Sequence, residues 1–370
     1  MKILLLAGEE SGVMYAERIA KEIRGKDPAA EIRGYGDYGF RTGDLAVMGL
    51  GQVLKRIFYF LRVKRTMERA IDEWKPDVVC TVDYPGLNLK LAAYAKRRGI
   101  RAVHVVCPQV WAWKKGRIPK IEQALDKLCC FFPFEPKLFK PGFAEFVGHP
   151  LVDEMREQGT GNREQGKILA ILPGSRMGEI EKHLPVMLKA VEKLREEMPD
   201  LKVVVPAANE RAYCAITSCI ARACSLFPVP CSLRVTHGGA RAALRAADAA
   251  GVASGTATLE AALAGCPTVL VYRVGWLFAF LARRFIKGIR HIGLANIIAE
   301  KAGVPCPMPE LLQEGFTAEK VLAALRPLLA DPVANAAARQ SLADAMKLLK
   351  SDGGAIGRIV KELAIRRPVH

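Results

Sequence analysis

The sequence lacks an apolar run long enough to cross a membrane. The longest, Val269 to Ala282, is interrupted by Arg273 and falls short of the ~20 residues a span needs. It also lacks any Cys-x-x-Cys pair. None of its ten cysteines stands at zinc-site spacing, and Cys129 and Cys130 are adjacent. Cys80, Cys107, Cys266 and Cys306 sit in or beside apolar runs, as buried thiols in a reducing compartment do. No Asp-x-Asp triplet is present to hold a divalent ion on a phosphate, and there is no low-complexity tract or obvious internal repeat. The apolar start, Met1 to Ala7, stops at Gly8-Glu9-Glu10, too soon for a secretory signal, and reads as a first buried strand. Acidic residues are in deficit, 38 against 55 Lys and Arg, for a net charge of +17. These absences argue against a membrane-spanning protein, a disulfide scaffold and a Cys-x-x-Cys zinc module. They leave a cytoplasmic globular chain whose 370 residues exceed what one core usually supports, so two domains are expected.

What is present begins with Ala253-Ser254-Gly255-Thr256-Ala257-Thr258-Leu259-Glu260, a small-residue turn between an apolar run and a helical one. Such a turn offers backbone N–H groups, hydroxyls and the positive end of a helix dipole, which suits phosphate. Glu260 follows about one helical turn later, where a carboxylate can accept ribose hydroxyls. An ordinary Ser/Thr-capped connection between strand and helix has the same composition.

An alternating α/β pattern runs through the chain. Strands are expected at Ile3 to Ala7, Val78 to Val82, Ala102 to Val106, Lys127 to Phe132, Ile168 to Leu172, Val203 to Val205 and Thr268 to Tyr272. Helices are expected at Ser11 to Arg24 (with Met14, Ile19 and Ile23 inward), Leu89 to Arg98 and Leu184 to Glu197. Short continuous apolar strands separated by helices mean parallel sheets covered on both faces. The fold class is therefore α/β, with two Rossmann-like doubly wound domains facing a cleft. The expected division is 1–160 for an N-terminal Rossmann-like domain and 161–345 for a C-terminal one, with a turn at Gly159 to Asn162 between them. A last helix, 346–370, would pack back on the first domain. Ligand loops belong after strands: Gly8 to Gly12, Asp83 to Asn88, Cys107 to Trp113, and Pro173 to Arg176.

The basic residues are clustered. Lys55, Arg56, Arg62, Lys64, Arg65 and Arg69 alternate with Leu54, Ile57, Phe58, Tyr59, Phe60, Leu61 and Val63, and a second mixed segment spans Trp276 to Lys287. Bulky apolar side chains among Lys and Arg suit an anionic membrane surface, and solvated basic helices are the plainer reading. No helix-turn-helix, RNP-type or zinc signature points to nucleic acid.

The ordered motifs Ala-Gly-Glu-x-Ser-Gly, Asp-x-Pro-x-x-Asn, Pro-Gln-Val-Trp-Ala-Trp-x-x-Gly-Arg, Pro-Phe-Glu, Phe-Val-Gly-His-Pro, Leu-Pro-Gly-Ser-Arg and Ala-Ser-Gly-Thr-Ala-Thr-Leu-Glu run from Ala7 onward. Together they resemble the lipid-A-disaccharide synthase family, glycosyltransferases of the two-domain GT-B architecture. The resemblance reaches Gln313. It implies transfer of a 2,3-diacylglucosamine from UDP to the 6-hydroxyl of 2,3-diacylglucosamine 1-phosphate, giving a β-1,6 disaccharide and UDP. It also implies a peripheral enzyme on the inner face of the cytoplasmic membrane, with no cofactor and no bound metal. A departing UDP needs positive charge and donors, expected from Gly174, Ser175 and Arg176 and from Ser254, Gly255 and Thr256, with Glu260 on the ribose. The resemblance makes 1–160 the acceptor domain and 161–345 the UDP-sugar-binding domain, and adds Asn296 and Gln313 to the donor site.

Ser11, Gly12, Asn88 and Trp113 are expected at the acceptor, and an inverting displacement needs a base there. Asp83 and Glu9 are the candidates, with His104 and His149 as alternatives. Trp111 and Trp113, one residue apart, would present both rings to one side of an extended segment. The chain departs from common family forms at Val13, where many relatives carry Asp, at Gly86, where one form carries a second Asp, and at Ala295, where Pro is usual. These departures keep two alternatives open: a nucleotide-sugar epimerase of the same architecture, and a UDP-sugar-binding paralogue without turnover.

Overall fold

The computed structural model describes residues 1–8, 10–40, 53–112, 115–157, 166–224, 233–275 and 290–365. The chain divides into two compact units, Met1–Asp153 with Leu349–His370, and Glu154–Leu348. The first break falls at Asp153, a few residues ahead of the expected turn at Gly159.

In the first unit the chain runs β1 (Lys2–Ala7), α1 (Glu10–Lys26), β2 (Glu31–Arg33), α2 (Val53–Trp74), β3 (Val78–Val82), α3 (Pro85–Arg97), β4 (Arg101–Val105), α4 (Ile118–Ala124), β5 (Lys127–Cys130) and β6 (Ala144–Phe146). The strands form one parallel sheet in the order β2-β1-β3-β4-β5-β6. Every residue of β3 is buried, as a central parallel strand with both faces covered requires. The inner stripe of α1 is Ala16, Ile19, Ala20 and Ile23, at helical spacing. Met14, expected inward, is 50% exposed instead, because Ala16 rather than Met14 falls on the face shared with Ile19 and Ile23.

α5 (Pro150–Glu157) leads into the second unit, which continues β7 (Ile168–Leu172), α6 (Met177–Glu197), β8 (Lys202–Ala207), α7 (Glu210–Cys224), β9 (Leu233–His237), α8 (Ala240–Ala246), β10 (Ala249–Ala253), α9 (Thr256–Leu263), β11 (Thr268–Tyr272), α10 (Leu294–Ala302), β12 (Glu310–Leu312), α11 (Ala318–Ala330) and α12 (Pro332–Lys347). Its parallel sheet is ordered β12-β11-β10-β7-β8-β9. The small residues of β10 answer a packing need: a Cβ on Gly251 would lie 2.9 Å from Cε of Met187 on α6. Each large aliphatic buried between α6 and the sheet, such as Leu184 or Leu194, contributes roughly 1.5–3 kcal/mol.

The final helix, α13 (Ala355–Ala364), returns to the first unit, where Ile356, Ile359, Val360 and Leu363 join the core that α1 covers. Hydrogen bonds secure the return: Ser351 Oγ donates to Val147 O at 2.6 Å and Ala355 N donates to Asp153 Oδ2 at 2.8 Å.

Several helices start earlier than the apolar pattern indicates. α3 starts at Pro85 rather than Leu89, since Pro suits the first helical position, and α6 starts at Met177 rather than Leu184. β5 stops at Cys130, two residues before the expected Phe132, because the chain turns there. Among the described residues no helix is long and apolar enough to cross a membrane.

Candidate functional site

The strand order of the second unit contains a switch point. The chain enters at β7, builds β8 and β9 on one side, then crosses to build β10, β11 and β12 on the other. The segments leaving β7 and β10 therefore part company at the C-terminal edge of the sheet, where open α/β sheets bind ligands. Pro173 to Arg176 follows β7 and Ser254 to Thr256 follows β10. Gly174 has φ 120°, and a Cβ there would lie 2.7 Å from Glu179 Oε2, so glycine alone permits this close turn. Ser175 is exposed. Arg176 is 78% exposed, its guanidinium 3.1 Å from Glu179 Oε1, so it is held loosely at the opening of α6. Gly255 has φ 155° with open space about its Cα, and no side chain caps α9 behind it. An uncapped helix start leaves N–H donors and the positive dipole end available to an anion.

Glu260 is half-buried, and Arg241 on α8 donates from Nε to its Oε1 at 2.9 Å. The same guanidinium reaches Glu154 through Nη1 at 2.6 Å. Arg241 thus fixes the carboxylate in the second turn of α9, a role its helical context in the sequence does not signal. His183 is a second residue that sequence reasoning missed. It is fully buried on α6, with Nδ1 2.8 Å from Pro173 O while Nε2 accepts from Arg273 N at 3.0 Å. It ties the segment after β7 to the one after β11.

Asn296 and Gln313 have internal tasks. Asn296 is fully buried, donating to Met308 O and Glu310 Oε1, both at 2.8 Å, and accepting from Met308 N at 3.0 Å. Its amide is saturated by protein, so it shapes the segment before β12 and has no free group for a nucleotide. Gln313 has φ 49°, and its backbone carbonyl accepts from Arg273.

The first unit has its own switch point, between β1 and β3, with β2 on one side and β4 to β6 on the other. Asp83 and Tyr84 follow β3 with φ 51° and 49°, two consecutive non-glycine residues in the left-handed region. Such strain costs about 1–2 kcal/mol per residue and tends to collect at functional sites. Asn88 holds it in place. Fully buried in α3, its Nδ2 lies 3.2 Å from Leu6 O, 3.1 Å from Val82 O and 2.8 Å from Asp83 O, and Oδ1 accepts from Tyr35 OH at 2.7 Å. Asn88 therefore secures the ends of β1 and β3 and has no free group for an acceptor. Gly8 and Gly12 admit close neighbours: a Cβ on Gly8 would meet the Tyr84 ring at 2.5 Å, and one on Gly12 would lie 3.5 Å from Asp83 Cβ. Buried Gly12 thus stands beside Asp83, and the preceding Ser11 is exposed. Burial pushes the Asp83 carboxyl above the ordinary range, against the opposing pull of the Tyr84 N–H that donates to Oδ1 at 2.8 Å. Glu9 and Trp113 lie outside the described residues, as does the segment from Trp276 to Lys287.

The alternative bases are poorly placed. His104 and His149 are both buried, and burial pushes each ring down to about 3. His104 Nδ1 faces Thr81 Oγ1 at 2.7 Å inside the sheet, and His149 Nδ1 accepts from Leu151 N at 3.2 Å. Trp111 packs edge-on against Phe134, ring centres 5.6 Å apart, as a core aromatic does.

Cys306 is exposed rather than buried, its Sγ 3.3 Å from His291 Nε2. Cys107, Cys130 and Glu135 form a buried group whose ligand atoms all lie within 4.8 Å of one another. Burial pushes the Glu135 carboxyl up to about 8.

On α2 the inward stripe is Val63, Met67, Ala70 and Ile71, whereas Phe58 and Leu61 are exposed at 71% and 42%. Arg62, Arg65 and Arg69 are exposed on the same helix, and Lys64 pairs with Glu68. The side chains of Leu54 to Ile57 lie outside the described residues.

Residues 3–353 match the family model described as Lipid-A-disaccharide synthetase. A lipid-A-disaccharide synthase of Syntrophus aciditrophicus (strain SB) is 34% identical over 98% of this chain and 97% of that protein. Among solved structures, the glycotransferase of kitacinnamycin has a TM-score of 0.64 at 15% identity, covering 98% of this chain and 97% of that one. A UDP-GlcNAc 2-epimerase from Neisseria meningitidis bound to UDP-GlcNAc scores 0.61 at 11% identity, covering 98% and 99%. At these identities the two structures are similar to this chain in fold alone.

Proposed function

The chain belongs to the lipid-A-disaccharide synthase family and is a glycosyltransferase with two Rossmann-like domains; from that premise we propose the substrates and the residues that handle them. The donor is UDP-2,3-diacylglucosamine and the acceptor 2,3-diacylglucosamine 1-phosphate. The observation that carries this reading is the pairing of an uncapped α9 with a glycine-built turn across the switch point of the second unit. The diphosphate takes the N–H groups of Gly255 and Thr256, the Ser254 hydroxyl and the charge of Arg176, which leaves Glu179 to reach it; the Ser254 N–H itself donates to Val271 O at 3.2 Å. The ribose takes Glu260 through the oxygen that Arg241 does not hold. In the first unit Asp83, raised by burial, accepts the proton of the acceptor's 6-hydroxyl. That oxygen attacks the anomeric carbon from the face opposite UDP, the bond from carbon to phosphate oxygen breaks, and UDP leaves with the electron pair. Inversion gives the β linkage.

One incubation tests this. UDP should be released from UDP-2,3-diacylglucosamine only when 2,3-diacylglucosamine 1-phosphate is supplied. Return of an altered sugar on UDP would make the protein an epimerase, and binding without any release would make it a paralogue that has lost turnover. Arg176→Ala and Glu260→Ala should each weaken UDP binding by ~1.5–3 kcal/mol, the cost of one charge-assisted contact, with the fold retained. Unchanged calorimetric affinity in both would remove the donor assignment.

The membrane reading rests on α2, where exposed Phe58 and Leu61 adjoin Arg62 and Arg65. A diacylated sugar gains ~0.8 kcal/mol per buried methylene by staying in a bilayer, so the enzyme collects its acceptor at the inner face of the cytoplasmic membrane. Each basic residue near an anionic leaflet adds roughly 1 kcal/mol. Replacing Arg62, Lys64 and Arg65 with Glu should abolish sedimentation with anionic vesicles and spare UDP binding. Vesicle binding equal to the parent's would make this face ordinary solvated helix.

A further inference from the structure

Cys107, Cys130 and Glu135 converge although 23 and 5 residues separate them along the chain. β4 and β5 are parallel neighbours, with Val105 in register with Cys129, so the residues just past β4 lie beside the last residue of β5. Val106 N donates to Cys129 O at 3.1 Å and closes this edge. The chain then turns back through Phe132 to Glu135. Glu135 N donates to Phe132 O at 3.2 Å while Phe132 N donates to Glu135 Oε2 at 3.1 Å, which aims the carboxylate inward toward the two sulfurs.

All three groups are sealed: Cys107 is 4% exposed, Cys130 0% and Glu135 1%. Around the thiols lie apolar neighbours such as Leu89, Val110 and Ile121. Among the described residues no basic side chain pairs with Glu135. A carboxylate buried without a cation is expensive, so it must carry a proton or face a positive charge. Two sulfurs and a carboxylate oxygen within 4.8 Å need only a small contraction to reach the spacing of about 3.4–3.8 Å found around tetrahedral zinc. The donor set also selects the ion: thiolates turn away calcium and magnesium, and a carboxylate is poorly matched to copper(I).

We propose that Cys107, Cys130 and Glu135 form a structural zinc site that clips the segment after β4 to the turn after β5. Binding releases the thiol protons and the carboxyl proton, and no redox step is involved. Among the described residues no fourth His, Cys, Asp or Glu joins the group, so the ion would be held by these three protein ligands. The clip fixes Pro108 to Trp111 at the sheet edge that carries Asp83, and it is independent of the substrate assignment.

Cobalt(II), added to full-length protein stripped with a chelator under reducing conditions, reads the site directly. The expected result is one ion per chain, with a thiolate-to-cobalt charge-transfer band and the visible bands of a tetrahedral ion. Cys107→Ser and Cys130→Ser should each cut the charge-transfer intensity at least by half, Glu135→Gln should weaken binding about tenfold or more, and Cys306→Ser should change nothing. Should the cysteine variants fail to fold, alkylation of the parent followed by mass spectrometry serves instead, with Cys107 and Cys130 shielded by zinc and labelled after chelation. No stoichiometric ion, a band that survives loss of both cysteines, identical labelling with and without zinc, or recovery of the two cysteines as a disulfide would each overturn the site.

Discussion

Asp83→Asn is expected to lower kcat by ~10²–10⁴-fold, the usual contribution of a general base, while UDP affinity stays at the parent value. Asn matches Asp in volume, and its side-chain oxygen still accepts the Tyr84 N–H that now reaches Asp83 Oδ1 at 2.8 Å. The strained turn at φ 51° and 49° is held by Asn88 and survives the change. Only the ability to take a proton is lost. In the parent enzyme, burial raises the Asp83 carboxyl above its ordinary 3.8, so the acid limb of kcat/KM should have its midpoint above that value. The limb should disappear with the residual activity of Asp83→Asn. A variant with parental kcat would assign the proton to another group, Glu9 first.

The second large effect concerns stability and pH. Glu135 rises from an ordinary 4.5 to about 8 in the folded protein. The folded state then keeps a proton that the unfolded state surrenders, so stability is complete below pH ~4.5 and falls as pH climbs through ~8. At 1.36 kcal/mol per pH unit the loss approaches ~5 kcal/mol. His104 and His149 work in the opposite direction at lower pH. Their rings are depressed to about 3, so stability drains away as pH falls from ~6.5. Comparison with Glu135→Gln cancels the histidines, because both proteins carry them. In metal-free protein the parent's urea midpoint should fall relative to the variant's as pH rises from 5 to 8. Parallel curves for the two would mean that Glu135 is not held protonated by its surroundings. If zinc occupies the site, the parent's decline should vanish on loading, since the cation replaces the proton.

Much of the architecture is legible because parallel strands buried on both faces must be short and continuously apolar. Val78 to Val82, Ile168 to Leu172 and Thr268 to Tyr272 are read to the residue. Of the four edge strands, β2, β6 and β12 are three residues each and β9 is five, all incompletely covered, so no continuous apolar run marks them. Helix starts drift for a related reason: Pro85 and Met177 belong to their helices through backbone geometry, and the apolar stripe begins later. Glycine turns after strands are equally visible, but the side chains that stabilise them are not.

Sequence by itself determined the class of this protein. The order and spacing of its motifs, with the apolar periodicity, specify two parallel α/β units of a glycosyltransferase family. Local chemistry is written in contiguous residues, so Gly174 and Gly255 could be found without a structure. Tertiary structure alone decided which polar groups remain free. Asn88 and Asn296 have the right chemistry for ligands, yet strand ends and a neighbouring loop consume their amides. Arg241 meets Glu260 only because α8 and α9 lie side by side, and His183 joins loops whose contact residues, Pro173 and Arg273, are 100 residues apart. Cys107, Cys130 and Glu135 offer no local spacing to notice, because their distance is set by the pairing of β4 with β5 and by one turn after it. Hydrogen-bond saturation, burial and non-local convergence depend on which strands become neighbours, and that choice belongs to the folded chain.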